Sequence, residues 1–109
     1  MRRGDVVLVV LQGDYGKPRP AVIVQGDRLT EAGATSIVVC PMTSAPSGTT
    51  SFRVAVAPTA DNRLRLPSEV MVEKLAGVPR QRLREVVGRL DAATMASVDA
   101  ALLVVLGFA

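Results

Sequence analysis

The sequence predicts a mainly β fold: a small antiparallel barrel or strongly curled sheet, with one C-terminal helix packed on it. Three observations predict it. Short apolar or alternating runs follow one another from Val6 to Leu90. Gly- and Pro-marked loops separate them. Helical spacing of apolar residues is sustained only after Asp91.

Val6–Leu11 is a continuous β-branched and leucine run, read as a buried strand. Gly13, Gly16 and Pro18 mark the loop after it, and Pro20–Gln25 is a second apolar strand ended by Gly26-Asp27. Residues 30–35, with Gly33, read as a connection, and Ser36–Cys40 as a third strand stopped by Pro41. Residues 45–50, with Pro46 and Gly48, read as a polar loop. Phe52–Ala57, Arg63–Leu66 and Glu69–Leu75 each alternate with a period of two, the mark of half-buried strands. Val78–Arg82 reads as a short helical turn opened by Pro79, and Leu83–Leu90 as a last strand with Val87 inward. Asp91 is a preferred N-cap. Met95, Val98, Leu102 and Val105 or Leu106 recur at spacings of three and four, and Gly107 is a fitting stop.

A chain of 109 residues is the size of one domain, spanning 1–109. Hydrophobic residues make up 49% and charged residues 21%, which excludes a disordered chain. There is no histidine, so His-based acid–base pairs and His-ligated zinc are excluded. The single Cys40 permits no internal disulfide and no Cys-rich metal site, and its apolar run predicts a buried thiol. No run approaches the 18 or more apolar residues of a membrane span, so a cytoplasmic protein without membrane attachment is expected. Net charge is +3, and eleven of the thirteen basic residues are Arg. They gather in residues 51–90, which carry +4, whereas residues 91–109 carry −2. Arginine forks match phosphate geometry, which makes nucleic acid a candidate partner. Taken singly, Arg53, Arg63 and Arg65 read as solvated residues on the polar faces of strands.

Three stretches then combine. Arg3–Val9 is followed by Lys17-Pro18-Arg19-Pro20-Ala21-Val22-Ile23-Val24; Val39–Ser44 comes second; Ser68–Leu75 and Gly88–Asp91 come third. In order and spacing they resemble the MazF/PemK/Kid toxin family of type II toxin–antitoxin systems, over nearly the whole chain. The resemblance implies an SH3-like β-barrel of the PemK/CcdB type with a C-terminal helix, usually as a homodimer. It implies a sequence-specific endoribonuclease that cuts single-stranded RNA without a metal or other cofactor. Attack of the 2′-hydroxyl on the adjacent phosphate would leave 2′,3′-cyclic phosphate and 5′-hydroxyl ends. A cognate antitoxin is the implied protein partner.

Residue by residue, Arg19 matches the family's catalytic arginine, and its fork suits two nonbridging oxygens of a pentacoordinate phosphate. Thr43 matches the active-site hydroxyl, with Ser44 beside it. Asp14, five residues before Arg19, stands where some relatives carry Glu; it would accept a proton or orient Arg19. Lys17 and Tyr15, in the same loop, are candidates for phosphate contact and base stacking. Some relatives use an Arg, an Asp and a His; Ser68 falls where that Asp would stand and the chain has no His, so that arrangement does not carry over. Glu69 reads as a surface strand residue. Two alternatives share the fold: a CcdB-like gyrase inhibitor, and a degenerate member that binds RNA or antitoxin without cutting.

Overall fold

The computed structural model describes residues 1–48 and 52–109. Thr49 and Thr50, the end of the expected 45–50 loop, lie outside the described residues. Seven antiparallel strands are formed: β1 Asp5–Val9, β2 Arg19–Ile23, β3 Ser36–Thr43, β4 Arg53–Val56, β5 Ser68–Met71, β6 Ala76–Pro79 and β7 Leu83–Arg89. A five-residue helix α1 spans Asp27–Glu31, and α2 spans Ala92–Val105. The strand path runs β4-β5-β3-β2-β1-β7, with β6 added on β3. No pairing joins β4 to β7 among the described residues, so the sheet is curled but not closed. The mainly β class with a C-terminal helix is as expected; the barrel is an open one.

The apolar runs are explained by burial on both faces of the central strands. Val6, Val22 and Cys40 form one cross-strand row and belong to the core beneath α2, with Val98 and Ala101 from the helix. The intervening Val7, Val9, Ala21, Ile23 and Val39 face a second core with Ile37 and Val78. A strand buried on both sides has no polar face to alternate. Cys40 is fully buried, and burial pushes its thiol up to about 12.

Five elements differ from expectation. Strand β3 continues through Pro41 to Thr43. On one edge Pro41 falls between the β6 ladder, which ends at Val39, and the β5 ladder, which begins at Met42. A residue without an N–H is tolerated there. Helix α1 occupies part of the expected connection; it is too short to show periodicity. Its C-terminal carbonyls gain a tertiary partner, because Arg80 donates to Thr30 O at 2.9 Å and Ala34 O at 3.0 Å. Residues 63–66 are not a strand. Asn62 bonds Thr59 N, Leu64 N and Ala57 O through its side chain, and Arg63 takes φ +60°. That locks a turn despite the alternation. β5 ends at Met71 and a 3-10 turn follows at Val72–Lys74. Finally, the helical turn expected at Val78–Arg82 is only Arg80–Arg82, because Val78 and Pro79 pair with β3 as part of β6.

Helix α2 starts where expected, with the Asp91 carboxylate accepting from Thr94 N at 2.7 Å. This holds the Asp91 carboxyl below its ordinary range. Gly107, at φ +82°, closes the helix, with Gly107 N on Val104 O and Phe108 N on Leu103 O. That pair of bonds is a Schellman closure, which requires the left-handed residue. Met95, Val98, Leu102 and Val105 pack on the core, whereas Leu103, Val104, Leu106 and Phe108 remain exposed. No helix among the described residues is long and apolar enough to cross a membrane.

Candidate active site

Loop 10–18, between β1 and β2, is built from two successive turns, Leu11 O to Asp14 N and Asp14 O to Lys17 N. Gly13 and Gly16 supply positive φ on either side of Asp14, and Tyr15 adopts φ +53° between them. This folds the loop back over the start of β2, where Arg19 pairs in register with Val9. The Asp14 carboxylate meets Arg19 Nη2 through Oδ1 at 2.8 Å. Its other oxygen, Oδ2, is buried and has no hydrogen-bond partner among the described residues.

Thr43 ends β3 beside this pair. Its Oγ1 accepts from Ala45 N at 3.1 Å, a local turn bond that leaves the hydroxyl proton free to donate. Asp14, Tyr15, Lys17, Arg19, Thr43 and Ser44 all line one groove of about 690 Å³. The structure thus brings together all six residues singled out in the sequence. Leu8, Pro20, Met42, Leu64 and Val87 give the groove apolar lining, and Arg63, Leu64, Arg65 and Leu66 complete it. Asp14 is the sole carboxylate among the lining residues, against the cations of Lys17, Arg19, Arg63 and Arg65. The groove is therefore built for an anion with apolar parts. Among the described residues no cluster of three His, Cys, Asp or Glu is placed to hold a metal ion.

Sequence reasoning missed two features here. Arg63 and Arg65 belong to the groove, because the Asn62 turn carries them there. Glu69 is not a surface residue: it is 5% exposed and stands in register with Thr43. Its Oε1 accepts from Ser47 N at 3.1 Å and Ser47 Oγ at 3.3 Å, and its Oε2 from Gly48 N at 3.2 Å. Arg53 lies between Glu69 and Glu73, with Nη1 3.5 Å from Glu69 Oε1 and Nε 2.9 Å from Glu73 Oε2. So Arg53 is spent inside the fold. Glu69 fastens the loop that leaves Thr43 and Ser44. The partners lie sixteen to twenty-two residues apart, beyond any local pattern.

Hydrogen bonds to the carboxylates, from Ser47 N foremost for Glu69 and from Arg53 for Glu73, hold both carboxyls below the usual range. A lowered folded value makes the ionised form stabilising. That stability is complete above the unfolded glutamate value near ~4.3 and is lost as pH falls through the lower folded values. The melting temperature of the wild type is therefore expected to fall as pH drops from 5 to 3. An Arg53→Met, Glu69→Gln, Glu73→Gln triple variant should show a shallower fall. Parallel melting curves for the two proteins would contradict this ion-pair account.

The family described as PemK-like, MazF-like toxin of type II toxin-antitoxin system matches residues 2–106. The "Probable endoribonuclease MazF" of Mycolicibacterium smegmatis is 40% identical over 110 residues, covering 100% of this chain and 99% of that protein. The "Endoribonuclease MazF9" of Mycobacterium tuberculosis is 33% identical over 110 residues, covering 94% and 92%. Among solved structures, an endoribonuclease in complex with its cognate antitoxin from a mycobacterial species superimposes with a TM-score of 0.84 at 23% identity, covering 100% of this chain and 97% of that one. MazF from Deinococcus radiodurans does so with 0.78 at 20% identity, covering 98% and 96%. These superpositions carry the fold; the family match and the two relatives carry the kinship. On that ground the chain belongs to the PemK-like, MazF-like toxin family of type II toxin–antitoxin systems.

Proposed function

We propose that residues 1–109 form one toxin domain that acts in the cytoplasm as a sequence-specific, metal-independent endoribonuclease on single-stranded RNA. The observation that carries the mechanism is the Asp14–Arg19 pair with Thr43 beside it in one groove. Bound RNA places a phosphodiester against the Arg19 fork. The 2′-hydroxyl gives its proton to the Asp14 carboxylate as its oxygen bonds to phosphorus. Arg19 stabilises the charge that grows on the nonbridging oxygens, and the Thr43 hydroxyl donates to one of them. The P–O5′ bond breaks, the 5′-oxygen takes a proton from solvent at the open groove, and a 2′,3′-cyclic phosphate remains. Arg19 is held by Asp14, so its fork is positioned before substrate arrives, which is how a donor lowers a barrier without reorganising. Lys17 meets a neighbouring phosphate, Tyr15 offers a face for base stacking, and Ser44 adds a hydroxyl.

Incubation of the pure protein with a long single-stranded RNA in excess EDTA tests this reading. Discrete fragments are expected, in the same pattern as without chelator. Intact RNA under both conditions would instead favour a member that binds without cutting.

The cognate antitoxin is the expected protein partner, as in the mycobacterial complex that shares the fold. A homodimer is expected as well. Leu103, Val104 and Leu106 on α2, and Phe108 beyond it at 78% exposure, leave apolar surface uncovered on a small chain. Light scattering at tens of micromolar should report twice the chain mass, and a strictly monomeric mass would refute it.

A further inference from the structure

Every arginine with a described carboxylate or carbonyl partner is committed to the fold or to Asp14. Arg3 pairs with Asp99, Arg53 with Glu69 and Glu73, Arg89 with Asp5, and Arg80 caps α1. Arg63 and Arg65 are exposed, have no carboxylate within ion-pair distance among the described residues, and line the groove that holds Arg19. The turn that carries them is not a loose loop. Asn62 is 3% exposed and bonded on both sides, and Asp61 O accepts Arg89 N of β7 at 2.9 Å. The turn sits so close on β7 that a Cβ at Gly88 would stand 2.4 Å from Asn62 O and 2.7 Å from Asp61 O. Two described non-glycine residues have positive φ, Tyr15 and Arg63, and both line this groove. Strain kept at two points of one cavity, under side chains with no partner in the fold, marks a binding surface.

We propose that Arg63 and Arg65 are substrate-binding residues that grip RNA phosphates flanking the one cut at Arg19. The seat of Asn62 on Gly88 positions them. The inference rests on the RNA-cleaving reading above. Guanidinium forks on an anchored turn, beside exposed Leu66 and Tyr15, match what a splayed single strand presents, phosphates and unstacked bases in alternation.

The test is an Arg63→Gln, Arg65→Gln double variant, in which charge is removed from exposed positions and a polar side chain is kept. Affinity is read by fluorescence anisotropy on a labelled 2′-O-methyl RNA 20-mer, which cannot be cut, across a salt series. Steady-state cleavage of natural RNA is read in parallel. Affinity is expected to fall by roughly 10-fold per arginine at low salt, since each removes a charge-assisted phosphate contact. The log–log salt slope should shrink by about 1.4, at about 0.7 per contact. The kinetic loss should fall mainly on KM. Gly88→Ala leaves both arginines in place but forces the Asn62 backbone to move; in folded protein it should weaken binding in the same way. Wild-type affinity and slope in the double variant would overturn the proposal, as would a loss confined to kcat. Unchanged RNA binding with weakened binding of polyglutamate would overturn it too, and give these arginines to an acidic protein partner. Failure of the underlying reading looks different: wild-type protein would cut no RNA, or Arg19→Ala would cut as fast as wild type.

Discussion

Replacing Arg19 with alanine is expected to slow RNA cleavage by about 100-fold or more, because one preorganised donor to a developing charge contributes on the order of 3 kcal/mol. The fold should survive. The Arg19 side chain is 36% exposed at the first position of β2, and its one ion pair among the described residues is to Asp14. Arg19→Lys should restore part of the rate, since an ammonium carries the charge but cannot bind two oxygens in a fork. Thr43→Ala should cost less than Arg19→Ala, because a neutral hydroxyl makes a weaker bond than a charged fork. Single-turnover cleavage of a short RNA measures each, with circular dichroism as the check on folding. A folded Arg19→Ala protein that cuts at the wild-type rate would move the chemistry elsewhere in the groove.

Asp14→Asn is expected to be as damaging, by about 100-fold or more, the contribution typical of a positioned proton acceptor. The amide keeps the shape and can still accept from Arg19 through its oxygen, but it cannot take the 2′-hydroxyl proton. The two roles of the carboxylate therefore separate. If Asp14 only orients Arg19, Asp14→Asn should retain much of the rate and Asp14→Ala should lose it. If the Asp14 carboxylate is the base, both should lose it alike. The proposed mechanism requires the second result, measured at saturating RNA so that binding does not intervene.

The groove was largely legible before the fold was, because its residues cluster in two short segments. Asp14 to Arg19 and Thr43-Ser44 each sit at a strand end, inside the stretches that resemble the toxin family, and that resemblance singles them out. The strands of the central sheet were legible for a related reason: burial on both faces writes an uninterrupted apolar run. What the sequence hid depends on distant partners. Arg63–Leu66 alternates like a strand, yet the Asn62 side chain and the close seat on Gly88 turn it into a wall of the groove. Glu69 alternates like a surface residue, yet the curl of the sheet buries it against Arg53 and the amides of Ser47 and Gly48. Helix α1 was missed because five residues show no period, and the Arg80 contacts that complete it come from fifty residues away. The family resemblance marked where the site is, and long-range packing decided what else faces it.

The central claim is that the RNA's own 2′-hydroxyl is the nucleophile, with Asp14, Arg19 and Thr43 arranged around the phosphate. Mass spectrometry of the fragments from a defined single-stranded RNA, cut in EDTA, tests it most directly. The account predicts a 2′,3′-cyclic phosphate on every upstream fragment and a 5′-hydroxyl on every downstream one, with no cut where the scissile nucleotide is 2′-deoxy. Fragments bearing 3′-hydroxyl and 5′-phosphate ends, or cleavage of the 2′-deoxy substrate, would contradict it.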